Sequence, residues 1–332
     1  MASGKKRPLT QSEGGAGERP RLLTGLQPSG QLHIGNYFGA LKPFLEAYTG
    51  YESFLMVADY HALTTLKKPE ELEKHTLNAV LDYLGAGMDP AKVIIFRQSE
   101  VKQHTELAWI FECLVTVPFL MQAHAYKDKV AKGIEPNAGL FNYPMLMAAD
   151  ILLYDTEIVP VGQDQRQHIE YAREAAAKFN NTYGNTFKEP KELILDSIAA
   201  VLGTDGQKMS KSYKNTIPLF GTEEEIHKAV MGIVTDSSGD RPENVYAIHR
   251  LFKTDSELTI IYDSNKGNYK KLKEILATDI EAVVAPMRKR RETYANDMPT
   301  VRAILKKGKE KTEKIAEIKM KTVRTKIGLG PL

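Results

Sequence analysis

Four short apolar runs are spaced along the first half of the chain: Leu22-Leu23-Thr24-Gly25, Phe54-Leu55-Met56-Val57-Ala58, Val93-Ile94-Ile95-Phe96 and Ile158-Val159-Pro160-Val161. Runs this apolar read as strands buried on both faces, the pattern of a parallel sheet rather than of a half-exposed antiparallel one. Helix-like stretches begin near Gly35, Pro69 and Thr105, and again after Gly162. Alternation of this kind predicts an α/β fold with right-handed crossovers. Pro160 fits the fourth run only if it sits at a strand end, because proline has no N–H for a ladder.

After about Thr222 the strand signals stop. From Leu272 onward, Ile275, Leu276, Ile280, Val283, Val284 and Met287 recur at helical spacing. Arg288-Lys289-Arg290-Arg291 is expected to end that helix, with cations at the negative end of its dipole. A mainly helical second domain therefore follows the α/β one, which suits a length of 332 residues. The segment from Met1 to Pro20 is rich in Gly, Ser, Pro and charge and reads as a disordered tail.

Composition excludes several classes. A single cysteine, Cys113, leaves no internal disulfide framework and predicts a reducing compartment. The eight histidines are scattered, so no protein-built metal site is expected. No apolar run approaches the ~20 residues that span a bilayer, and no apolar core follows Lys5, Lys6 and Arg7 as a secretion signal requires. Net charge is +3, but its distribution is uneven. From Val301 to Leu332, ten Lys or Arg face three Glu, giving +7 and leaving −4 on the rest. That is either a footprint for a phosphate backbone or a solvated helix face.

Two stretches are candidates for phosphate chemistry. GLQPSGQLHIGN, Gly25 to Asn36, follows the first strand and opens the first helix, where backbone N–H groups and the positive helix end attract phosphates. It is neither a P-loop nor a dinucleotide fingerprint. His33 and Asn36, three apart, would share a helix face. GQKMSKS, Gly206 to Ser212, puts the ammonium groups of Lys208 and Lys211 on a bendable piece of chain. That is a solvated turn or a clamp for a polyanion.

HIGN followed by KMSKS resembles the two signature motifs of class I aminoacyl-tRNA synthetases, with Asn36 where the first motif usually ends in histidine. TGLQPSGQLHIGNYFGAL, LMAADILLYDT (Leu146 to Thr156) and VPVGQDQRQHIE (Val159 to Glu170) resemble the bacterial tryptophanyl branch. The resemblance runs from about Leu22 to the C-terminus, dense up to Ser212 and looser beyond. It implies a Rossmann-like catalytic domain over 21–218 and a helical anticodon-binding domain over 219–332. It also implies ATP, with Mg²⁺ carried on it, L-tryptophan and tRNA(Trp) as partners, a symmetric homodimer without membrane attachment, and a cytoplasmic location.

Residue roles follow from the same resemblance. Lys208 and Lys211 would close over the pyrophosphate, with Ser210 and Ser212 as donors. Gln27, Pro28, Ser29, Gly35, Asn36, Gly162, Gln163, Asp164, Val201 and Met209 would complete the ATP site, with Gln27 and Asn36 among the catalytic groups. Gln163 stands where many bacterial members carry Glu. Lys129, in AYKDKV, would add a cation, and Lys127 is either its companion or an exposed lysine. Asp150 would accept the indole N–H, Tyr143 and Met147 would line the ring, and Val159 and Val161 would close the floor. Gln165 would hold the substrate ammonium. Residue chemistry alone leaves a tyrosyl-tRNA synthetase open, since a carboxylate accepts a phenol O–H equally well. A non-catalytic paralogue that binds tRNA is the other alternative.

Overall fold

The computed structural model describes residues 19–28, 30–133, 135–161, 166–194, 201–235 and 241–330. Among these, β1 (Arg21–Leu26), β2 (Glu52–Val57), β3 (Val93–Arg97), β4 (Ile158–Val161) and β5 (Lys191–Ile194) form one parallel sheet in the order β3-β2-β1-β4-β5. The order reverses at β1, the arrangement of a doubly wound, Rossmann-like sheet.

The apolar runs serve both faces by simple alternation. Leu22, Leu55, Val57, Val93 and Ile95 join one core cluster, while Leu23, Phe54, Met56 and Phe96 join the other. Pro160 stands inside β4, in register with Leu193 of β5; towards β1 the pairing is Leu22 with Ile158, and the proline lies beyond it. The KELI strand, β5, carries exposed Lys191 and half-buried Glu192 and gives no apolar run to read.

Connections in the first half are helical: α1 (Ile34–Asn36), α2 (Lys42–Ala47), α3 (Asp59–Ala62), α4 (Pro69–Gly85), α5 (Gln103–Glu112), α6 (Val117–Leu120), α7 (His124–Ala131), α8 (Ala138–Leu152) and α9 (Arg166–Tyr183). Beyond β5 come α10 (Glu223–Met231), α11 (Glu243–His249), α12 (Asp255–Ser264), α13 (Tyr269–Asn296) and α14 (Met298–Lys326). Side-chain caps start several of them, at Asn137, Thr222, Thr254, Asn268 and Asp297.

Arg288-Lys289-Arg290-Arg291 does not end its helix, which runs on to Asn296. Its charges have local partners instead. Arg291 Nε donates to Asp82 Oδ1 on α4 (2.6 Å), Arg290 Nε to the Gly85 carbonyl (3.0 Å), and Arg288 pairs with Glu281 (2.8 Å). Helix α14 crosses β3 so closely that a Cβ at Gly308 would overlap the carbonyl of Ile95. Its Ala316, Met320 and Val323 enter one core cluster and its Val301 the other.

Candidate active site

The signature segments meet at the carboxyl ends of the central strands, where open parallel sheets hold their ligands. After β1 the chain turns through Gln27, Pro28 and Gly30. Pro28 is buried, and Gln27 Nε2 donates to the His61 carbonyl (3.3 Å). Gly30 has φ of +91°, a conformation that suits glycine. A Cβ placed there would lie 3.7 Å from His75 Nε2 and 3.8 Å from Lys211 Nζ. The second lysine of KMSKS therefore stands over the first turn, although the two are far apart in sequence.

His33 and Asn36 do more than share a face; they cap each other. His33 Nδ1 accepts from the Asn36 N–H (3.3 Å), and Asn36 Oδ1 accepts from the His33 N–H (3.1 Å). The cap needs a lone pair on Nδ1, hence a ring not protonated at that nitrogen. Burial, and then the charge of Lys211, lower the His33 pKa from 6.5 to about 4. The native ring thus resists a proton that the unfolded chain takes up. The stability tied to it is whole above pH 6.5 and drains away as pH falls through about 4. Urea midpoints at pH 7.5, 6 and 5 should therefore decline less steeply in His33→Asn than in the parent chain. Parallel declines would assign the acid sensitivity to other groups.

Backbone bonds tie the first motif to the segment that follows the second. Ile34 N–H donates to Ile217 (3.0 Å) and Leu219 N–H to Leu32 (2.9 Å). Gly35 lies between the His33 ring and Met209, which is buried and donates from its N–H to the carbonyl of buried Val201 (2.8 Å). The loop itself is organised by Asn215, a residue that carries no motif signal. Its Nδ2 donates to Asp205 Oδ1 (2.7 Å) and the Lys208 carbonyl (3.1 Å), and its Oδ1 accepts from the Ser210 N–H (2.8 Å). Ser210 and Ser212 hydroxyls are 2.9 Å apart, and Lys208 is exposed. Desolvation lowers the Lys211 pKa, partly opposed by the charge of Asp82.

On the other side of the edge, Tyr143, Met147 and Asp150 recur at i, i+4 and i+7 along α8 and so share one face. Tyr143 meets His168 Nε2 through its hydroxyl (3.2 Å) and stands edge-on to the His61 ring (6.4 Å). Val159 of β4 is buried in the core. Asp150 is 2% exposed, and both its oxygens are already engaged. Oδ1 accepts from His104 Nδ1 (2.6 Å) and Gln98 Nε2 (2.8 Å); Oδ2 meets His61 Nε2 (2.8 Å) and the same Gln98 amide (3.0 Å). Burial alone would raise its pKa, but the charge and hydrogen bonds of His104 and His61 prevail and bring it down to about 2. Gln98 follows β3 directly and His61 lies on α3 just after β2; only their place near strand ends could have marked them.

Lys129 is half-buried on α7, whereas exposed Lys127 is turned to Gln122 (2.9 Å). Ser29, Gly162, Gln163, Asp164 and Gln165 lie outside the described residues, as does the Val161 side chain. A cavity of about 1280 Å³ opens at the opposite edge, between the strand starts and α14, lined by residues such as Arg21, Glu52 and Lys311. It is remote from both motifs, and we place the site where the motifs converge.

The family model for class I tRNA synthetases (W and Y) matches residues 16–296. The tryptophan–tRNA ligase of Fusobacterium nucleatum is 46% identical over 318 residues, covering 93% of this chain and 98% of that one. The tryptophan–tRNA ligase of Rhodopirellula baltica is 43% identical, covering 93% and 99%. A solved structure of tryptophanyl-tRNA synthetase from Campylobacter jejuni, complexed with ADP and tryptophan, superposes with a TM-score of 0.87 at 42% identity, covering 93% of this chain and 100% of that one. Sheet order, the meeting of HIGN with KMSKS and these matches agree: the chain belongs to the class I tRNA synthetases of the W and Y group.

Proposed function

We propose that this chain is a tryptophan–tRNA ligase. ATP and L-tryptophan give tryptophanyl-adenylate and pyrophosphate; the aminoacyl group then passes to tRNA(Trp) and AMP leaves. The observation that carries this reading is the meeting of two different devices at one sheet edge. One is a glycine turn with Lys211 over it, suited to phosphate. The other is an apolar helix face ending in a buried carboxylate, suited to an indole N–H.

The substrate carboxylate attacks the α-phosphate itself, so no protein nucleophile is needed, and catalysis rests on positioning and on charge stabilisation. Lys208 and Lys211, with Ser210 and Ser212, act on the departing pyrophosphate. Gln27, Pro28, Ser29, Gly35, Asn36, Gly162, Gln163, Asp164, Val201 and Met209 surround the nucleotide, and Lys129 adds positive charge. Among the described residues no group of three or more His, Cys, Asp or Glu is placed to hold a metal ion; Mg²⁺ would be carried by the phosphate oxygens and neutralise their charge. Tyr143, Met147, Val159 and Val161 enclose the ring, and Gln165 holds the ammonium. For an indole N–H to reach Asp150 Oδ2, His61 is the donor that gives way, because its side chain is 15% exposed and that of His104 is fully buried.

Residues 21–218 carry the chemistry and 219–332 reach the anticodon. Three basic residues of α14 are spent on the body of the protein: Lys311 on Glu52, Lys319 on Asp155 and Arg324 on Glu106. Lys306, Lys307 and Lys309 make no ion pair among the described residues, which leaves them for RNA phosphates. Neutralising these three to Gln is expected to weaken tRNA binding and flatten its salt dependence, by roughly one unit of slope for each lysine that reaches a phosphate. Adenylate formation should be untouched, and unchanged tRNA affinity at low salt would make them a solvated face.

Trp109 (67% exposed), Val117 (60%) and Met121 (46%), with exposed Cys113, leave an apolar stretch on α5 and α6 and just beyond that suits a symmetric homodimer. No helix among the described residues is long and apolar enough to cross a membrane. The cytoplasm, where tRNA is charged, goes with this reading. Pyrophosphate exchange run separately with tryptophan and tyrosine tests it: exchange is expected with tryptophan alone. Exchange with tyrosine would mean a tyrosyl enzyme, and none with either, in a chain that still binds tRNA, a non-catalytic paralogue.

A further inference from the structure

His104 belongs to none of the signature motifs, yet it makes the shortest contact to Asp150. Its ring is fully buried and uses both nitrogens: Nδ1 is 2.6 Å from Asp150 Oδ1, and Nε2 is 2.7 Å from the Tyr154 hydroxyl. An ionised carboxylate only accepts, so Nδ1 carries a proton and donates it. The ring is also held from the side, stacked on Phe96 with centroids 6.2 Å apart. Tyr154 is 0% exposed, stacks on Phe54 (5.5 Å) and meets Phe96 edge-on (5.5 Å). The core cluster that holds Tyr154 also takes in Ala316, Met320 and Val323 of α14. Rotating the imidazole would therefore break two buried hydrogen bonds at once, each costly to leave unmade. One oxygen of Asp150 is fixed from the protein side, and the other is left towards Tyr143 and His61.

We propose that His104 is a positioning residue for amino-acid selection, holding Asp150 so that Oδ2 meets the substrate N–H in a fixed direction, and held in turn by the Tyr154 hydroxyl. The proposal rests on the reading of Asp150 as the indole acceptor. It separates His104 from an ordinary buried polar residue, because a residue that only supports the fold would lower activity with every amino acid alike. A positioning residue changes the ratio between a substrate that donates to Asp150 and one that cannot.

The test is kcat/KM for tryptophan and for phenylalanine in pyrophosphate exchange, using the full chain with His104→Leu, His104→Asn, Tyr154→Phe and Asp150→Asn. His104→Leu is expected to lower the preference for tryptophan at least tenfold. His104→Asn returns a donor close to the place of Nδ1 and is expected to keep the preference within about threefold. An unchanged ratio in folded His104→Leu, or equal losses in the Leu and Asn variants, overturns the proposal. Should His104→Leu not fold, Tyr154→Phe decides, since it keeps the ring packing and removes only the bond to Nε2. A several-fold loss of preference is expected there, and an unchanged ratio overturns the proposal. If Asp150→Asn leaves the ratio untouched, the indole reading of Asp150 has failed, which is a separate result from a failure of His104.

Discussion

Lys211→Ala is expected to slow adenylate formation by about 10²–10³-fold, the usual loss when one preorganised charge-stabilising donor is removed, while tryptophan affinity stays close to that of the parent chain. The reason is where the ammonium stands. It lies 3.8 Å from the Cβ position of Gly30, above the turn that follows β1, and its charge is felt by His33 and by Asp82. None of these belongs to the Tyr143–Met147–Asp150 face. A cation that meets phosphate mainly as the pyrophosphate departs contributes to the rate rather than to ground-state binding. Single-turnover adenylate formation, set beside tryptophan binding by equilibrium dialysis, separates the two. A larger effect on affinity than on rate would remove Lys211 from the phosphate site.

Asp150→Ala should have the second large effect, and on two quantities. Tryptophan loses a hydrogen bond to a charged acceptor, roughly 1.5–3 kcal/mol, and phenylalanine loses nothing comparable. The preference for tryptophan should therefore drop by about one to two orders of magnitude. The substitution also leaves His61, Gln98 and His104 without their acceptor in a buried site. Removing one partner from such a buried network costs about 3–5 kcal/mol of stability, so the melting temperature should fall as well. Asp150→Asn retains one acceptor oxygen and should show a milder loss of both. An unchanged ratio of kcat/KM for tryptophan and phenylalanine in a folded variant would mean that another group reads the indole.

The parts of the fold that were legible in the sequence are those where burial is two-sided. β1 to β4 announce themselves because each must be apolar towards both layers, whereas β5 pairs only with β4 and can carry Lys191 and Glu192. The Arg288–Arg291 run misled because sequence position suggested a helix end, while Asp82, Asn78 and the Gly85 carbonyl supply partners from α4. The phosphate side of the site was legible because two compact motifs carry it. The cage around Asp150 was not, since His61, Gln98 and His104 arrive from three separate elements and only the sheet brings them together. Asn215 escaped for a different reason: a lone asparagine after a lysine-rich loop has no pattern, and its role exists only in its three hydrogen bonds.

The crossing of α14 over β3 at Gly308 bears on the order in which this chain can be finished during synthesis. Residues 298–326 leave the ribosome after everything on which they pack. Until they arrive, Phe96 lacks the helix that comes against its Cβ at Gly308, and the core around Tyr154 lacks Ala316, Met320 and Val323. Contacts of such sequence separation form late, because the loop they close runs from Phe96 to Gly308, well over half of the chain. The emerging α/β layers should therefore remain loosely packed and prone to chaperone capture until α14 docks, even though their own strands are already made. Ribosome-stalled chains ending at residue 297 and at residue 330 should differ in protease resistance around Tyr154, far from the newly added segment in sequence.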